Sequence, residues 1–164
     1  MKSGKTNNSS NTGNTGNTSN TDYHNSTHSL RIGPSQIPGA GLGVYTDSHI
    51  AAGELIDEYA GVLRDHGGSY SLLILPGLYV DACVWPRPYM GIINDCTFVA
   101  PKYKRKKGRR IDMTPDAYYD SSGRRLEVNC EFRVDPKAKK GYVYASADIL
   151  PGQELFVSYG DKYW

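Results

Sequence analysis

Apolar and polar residues alternate most clearly from Leu126 to Val134, where Leu126, Val128, Cys130, Phe132 and Val134 interleave with Glu127, Asn129, Glu131 and Arg133. That period predicts a single strand with one buried face. Tyr142–Ala147 and Glu154–Ser158 read as two more strands, joined through the turn at Pro151-Gly152. Earlier in the chain, Leu30–Gly33 reads as a short strand ended by Pro34, and the turn-rich Ile37–Gly43 leads into the strand Val44-Tyr45-Thr46. Ala52-Gly53 is a turn before the apolar-rich Glu54–Leu63. Tyr70–Leu75 and Leu78–Ala82 pair around Pro76-Gly77. Helical spacing occurs only in fragments near Tyr89–Ile93. Many short strands with close Gly and Pro turns predict a mostly β fold.

The 164 residues suffice for one domain and a tail. From Met1 to Ser29 the only apolar side chains are Met1 and Tyr23, and the rest is mostly Asn, Thr, Ser and Gly. Such a segment buries too little surface to offset its ordering entropy, so residues 1–29 are expected to be a disordered tail and 30–164 the domain. The Asn-x-Ser/Thr triplets at Asn8 and Asn25 are read as chance products of this composition, because the segment lacks the apolar core of a secretory signal. No apolar run approaches the ~20 residues a membrane helix needs. Cys83, Cys96 and Cys130 are widely spaced and include no CxxC pair, which argues against a disulfide framework or a zinc site. An intracellular protein that neither enters a membrane nor is secreted is expected.

The net charge of +2 conceals a cluster: seven of the nine residues from Lys102 to Arg110 are Lys or Arg. A nuclear-import signal, a solvated loop and a contact to nucleosomal DNA are all compatible with it. The first places the protein in the nucleus; otherwise it is cytoplasmic.

Gly39, Gly41 and Gly43 alternate and run into a strand, unlike the spacing of a dinucleotide-binding loop. Together with later blocks they resemble another family. Gly39–Tyr45 is similar to the G-x-G-x-G-V-F/Y opening of SET domains, and Ala52–Gly61 to their second block. Tyr70-Ser71-Leu72 and Tyr79–Ala82 resemble the pair preceding the active site. Ile93-Asn94-Asp95-Cys96 stands where the family has Ile-Asn-His-x-Cys, and Asn129–Phe132 resembles Pro-Asn-Cys-x-Phe. Ala145–Leu155 followed by Ser158–Trp164 resembles the family's ending. The resemblance is collinear from about Leu30 to Trp164.

It implies a SET-domain fold of several small sheets with a C-terminal pseudoknot. It also implies transfer of a methyl group from S-adenosylmethionine to lysine in a protein substrate such as a histone tail. Tyr159 would be the catalytic tyrosine beside the methyl, and Tyr70 a second one orienting the lysine nitrogen. Gly41, Leu42 and Gly43 would lie along the methionine part of the cofactor. Asn94 and Asp95 would hold its adenosine side, Asp95 mainly through its main chain, with Tyr159 alongside and Trp164 stacking on the adenine. No metal is implied. The 13 Tyr against 3 Phe suit a channel needing aromatic walls and hydroxyls, although tyrosine is also a good strand residue.

The chain departs from the family at Asp95 (for His), Gly91 (for Arg) and Thr97 (for Cys), and in a basic insertion over about 97–126. The sequence carries no cysteine-rich zinc module. The channel wall such a module gives relatives would come from the insertion, the tail, the substrate or a partner. These departures leave open a second reading, a SET-like interaction module without transfer activity.

Overall fold

The computed structural model describes residues 26–97, 103–107, 109–112 and 117–160. Trp164 and most of the predicted tail lie outside the described residues. Among the described residues, twelve short strands are arranged in five small sheets, with one 3-10 turn at Tyr89–Gly91. Strands β1 (Leu30–Pro34) and β2 (Leu42–Thr46) are antiparallel. β3 (Leu55–Glu58), β10 (Cys130–Asp135) and β11 (Lys140–Ala145) form a sheet in the order β10-β11-β3. β4 (Val62–Arg64), β5 (Ser71–Leu75) and β6 (Leu78–Asp81) form another in the order β4-β6-β5, with Pro76 and Gly77 (φ 77°) making the β5–β6 turn. β8 (Tyr103–Lys106) and β9 (Arg109–Asp112) make a hairpin.

The pairing that shapes the site is between β7 (Asn94–Asp95) and β12 (Phe156–Val157). It is parallel, with Phe156 opposite Asn94 and Val157 opposite Asp95. Two segments far apart in sequence are thereby laid side by side. Beneath them lies a core of fully buried Val44, Ile50, Val143, Ile149, Leu155 and Val157, joined by Met90 and Ile93. Apart from the β8–β9 hairpin, each of these sheets, too small to stand alone, is stabilised by packing on its neighbours through buried apolar side chains.

The alternating stretch from Leu126 to Val134 is not one strand. β10 starts only at Cys130 because Asn129 is diverted onto β12. Its amide Nδ2 donates to Glu154 O at 2.9 Å, and its Oδ1 accepts from Phe156 N–H at 2.8 Å. Leu126 and Val128 accordingly pack with Ile37, Cys96 and Phe156 in a second cluster. Cys130 and Phe132 pack on the main core. One pattern serves two apolar clusters.

Ser26–Ser29, read from sequence as the end of a tail, are docked. Ser26 Oγ donates to Ile56 O at 2.9 Å, His28 Nε2 lies 3.0 Å from Leu55 O, and Asp47 N–H donates to Ser29 O at 2.8 Å. A chain beginning at Leu30 loses these bonds. At roughly 0.5–1 kcal/mol each, about 2 kcal/mol in total, it should melt about 4–8 °C below a chain beginning at Ser26. Equal melting temperatures by differential scanning calorimetry would show that the docked segment contributes nothing.

Candidate functional site

The glycine turn and β12 meet around one buried acid, Glu154, which is only 2% exposed. Its Oε1 accepts from Ser35 Oγ at 2.7 Å and from Asn94 Nδ2 at 3.3 Å; its Oε2 accepts from Gln36 N–H at 2.7 Å and from Tyr45 OH at 3.2 Å. Burial, and then the neighbouring Glu154 charge, push the Tyr45 phenol up to about 12, so its hydroxyl keeps the proton it donates. A Cβ on Gly43 would overlap this carboxylate. Gly43 therefore faces the acid, and its missing side chain is what admits Glu154. Asn94 closes the arrangement by donating Nδ2 to Leu42 O at 2.8 Å, tying the glycine turn to β7.

Two cavities flank Tyr159. One is an open groove of ≈ 440 Å³ bordered by Leu42, Trp85, Arg87, Asn94, Tyr70 and Tyr159, with Ala40, Ser69 and Gly91 among its other lining residues. The other is a channel of ≈ 70 Å³ walled by Tyr59, Phe132, Leu72, Met90, Ile93 and the two tyrosines 70 and 159. Ser69, Tyr70, Gly91 and Tyr159 line both. The groove and the narrow, aromatic channel thus share a border, and Tyr70 and Tyr159 stand on it.

Tyr159 is held at both ends. Its main-chain N–H donates to Asp95 Oδ2 at 2.8 Å, and its hydroxyl donates to Ile93 O at 2.5 Å. The other carboxylate oxygen of Asp95 accepts from Thr97 N–H and Thr97 Oγ, both at 2.6 Å. Asp95 is buried and does not line the groove. Its side chain acts on the backbone of Tyr159, an interaction the resemblance did not imply. On the far side of the channel, Tyr59 OH donates to Tyr70 O at 3.0 Å, and the Tyr59 ring meets Phe132 edge-on at 5.5 Å.

Of the residues singled out from sequence, Tyr70, Leu42, Asn94 and Tyr159 come together at the groove. Gly41 (φ 79°) holds the left-handed turn that carries Leu42 there, a conformation that favours glycine. Gly43 and Asp95 stand behind the groove and support it. Tyr59, Phe132, Trp85, Arg87 and Glu154 were not singled out. Glu154 had a signal, a lone acid within an apolar strand pattern; Arg87 and Trp85 had none. Among the described residues no three His, Cys, Asp or Glu side chains converge as metal ligands would. No helix among them is long and apolar enough to cross a membrane.

The cysteines divide by environment. Cys83 is exposed, whereas Cys96 and Cys130 are buried. Burial, and then the charge of Asp95, push the Cys96 thiol up to about 11; burial pushes Cys130 up to about 12. The thiolate is the reactive form. A disulfide-exchange reagent near neutral pH should therefore label one thiol rapidly in the folded chain, and Cys83→Ser should remove that phase. Rapid labelling of two or more thiols would contradict the packing around β7 and β10.

Comparison with known proteins bears on the family and the fold. The SET-domain family pattern matches residues 41–160. The chain belongs to the SET-domain family. Among solved structures it is similar to Chaetomium thermophilum Polycomb Repressive Complex 2 bound to GSK126, with a TM-score of 0.52 and 23% identity over 82% of this chain and 16% of that one. The same complex in an autoinhibited conformation bound to S-adenosylmethionine gives 0.52 and 23%, covering 82% of this chain and 15% of that one. An active polycomb repressive complex 2 in the basal state gives 0.52 and 24%, again over 82% and 15%. These likenesses concern the fold. No curated protein matches the sequence.

Proposed function

We propose that this chain is an S-adenosylmethionine-dependent protein-lysine N-methyltransferase acting on a histone tail. The observation that carries the reading is the shared border of groove and channel at Tyr70 and Tyr159. Group transfer between a cofactor and a protein side chain needs two entrances meeting at one point, with the reacting atoms in line.

The groove's ≈ 440 Å³ lies within the ~300–1,000 Å³ typical of cofactor pockets. Leu42, Asn94, Tyr70 and Arg87 are the residues that would hold the cofactor. When bound, it supplies a methyl group made electrophilic by a sulfonium. The chain's own residues then do three things. The aromatic channel disfavours the ammonium form of an entering lysine, whose free pKa is ~10.4, and so favours the neutral amine. The hydrogen bond that Tyr159 donates to Ile93 O fixes its hydroxyl on the border, and a phenol oxygen so placed can accept weak C–H···O contacts from a polarised methyl. Tyr70, whose hydroxyl has no hydrogen bond among the described residues, can take one from or give one to the amine. Titration calorimetry with S-adenosylmethionine tests the reading: saturable one-to-one binding supports it, and no binding overturns it.

Among the described residues of the basic run, Lys106 pairs with Arg109, Arg105 with Arg110 and Lys104 with Ile111 in the β8–β9 hairpin. A two-stranded ribbon this basic fits the phosphate backbone of nucleosomal DNA, and a chromatin substrate places the protein in the nucleus. Changing Lys104, Arg105, Arg109 and Arg110 to Ser should flatten the salt dependence of nucleosome binding, by about 0.9 in log–log slope for each phosphate no longer neutralised. An unchanged slope, with the protein moved from nucleus to cytoplasm, would make the run an import signal instead.

A further inference from the structure

Gly91 lies on the border of groove and channel, closely packed by its neighbours. A Cβ on Gly91 would stand 2.8 Å from Ala82 Cβ and 3.1 Å from Arg87 Cγ. Ala82 and the stem of Arg87 both pack against the bare backbone there. The guanidinium carbon of Arg87 lies 3.9 Å from the centroid of the Tyr70 ring, which restrains it at the border of groove and channel. Arg87 is half-buried, and no carboxylate among the described residues pairs with it. Among those residues it is also the only charged one lining the groove.

A half-buried guanidinium without an acidic partner has its water partly removed and its Coulomb attraction unspent. Its planar fork matches a carboxylate through two parallel hydrogen bonds. Resting on the methyltransferase reading, we infer that Arg87 binds the α-carboxylate of S-adenosylmethionine. The cofactor's other charges, the sulfonium and the ammonium, are cationic and are not what a lone arginine selects. Stacking on Tyr70 holds the fork in place before the ligand arrives, which reduces the ordering cost of binding.

Calorimetry on the full chain, comparing S-adenosylmethionine with decarboxylated S-adenosylmethionine, tests this directly, because the two ligands differ only in the carboxylate. Arg87→Ala should weaken S-adenosylmethionine binding about tenfold or more and change binding of the decarboxylated analogue by less than about twofold. Arg87→Lys, which keeps the charge but not the fork, should fall between. Equal weakening towards both ligands, or none towards either, would overturn the inference while leaving the methyltransferase reading intact. If the unmodified chain bound neither ligand, that reading would fail and the inference with it. Melting curves of each variant separate weakened binding from a failure to fold.

Discussion

Replacing Tyr159 with phenylalanine should lower methyl transfer more than tenfold, about 1.4 kcal/mol in the barrier, while cofactor affinity stays within about threefold. The ring keeps its place on the border of groove and channel, so the shape of both cavities survives. What goes is the oxygen, together with the hydrogen bond it donates to Ile93 O at 2.5 Å. That bond is worth about 1 kcal/mol, so the melting temperature should fall by about 2–4 °C and no further. Single-turnover methylation with calorimetry on the same preparation separates the two effects. Retention of more than a tenth of the rate would remove Tyr159 from the chemistry.

Asp95→Asn should be nearly as damaging, for a different reason. One carboxylate oxygen accepts from Tyr159 N–H and the other from Thr97 N–H and Oγ. An amide offers one oxygen and one NH2, so in either orientation an N–H points at an N–H. Leaving a buried donor unsatisfied costs about 1–3 kcal/mol. The strain falls on the backbone of Tyr159 or on Thr97, and transfer should drop about tenfold or more with the fold retained. From sequence alone the exchange looks mild, because the resemblance gives Asp95 a main-chain role. A variant with near-normal transfer would return Asp95 to that role. Rescue by Asp95→Glu, which keeps two acceptor oxygens, would point to the hydrogen bonds themselves.

Much of the fold was legible because strand period and turn residues are local signals. Pro76-Gly77 marks the β5–β6 turn, and Val44–Thr46 falls within β2. The break at Asn129 was not legible, since alternation reports that a face is buried and not which cluster buries it. The docking of Ser26–Ser29 was equally hidden: it is made of backbone and small polar groups, which leave no mark in an apolar pattern. Tyr159, Tyr70 and Asn94 were reached through resemblance, and the structure brings them to one groove. Arg87 was invisible because no local signal sets a lone arginine over the Tyr70 ring, and its packing against the bare backbone of Gly91 is equally silent. Gly43 and Glu154 form a similar pair, a small residue that admits a buried acid.

The border between groove and channel is proposed to carry a methyl group from cofactor to lysine. Incubating the purified chain with S-adenosylmethionine and a mixture of core histones, then resolving the products by intact-mass and peptide mass spectrometry, tests it most directly. Mass gains of whole methyl groups should be confined to lysine residues, dependent on cofactor and reduced more than tenfold with Tyr159→Phe. Saturable cofactor binding without any methylated lysine, in histones or in a total-protein substrate, would contradict it and leave a cofactor-binding interaction module in its place.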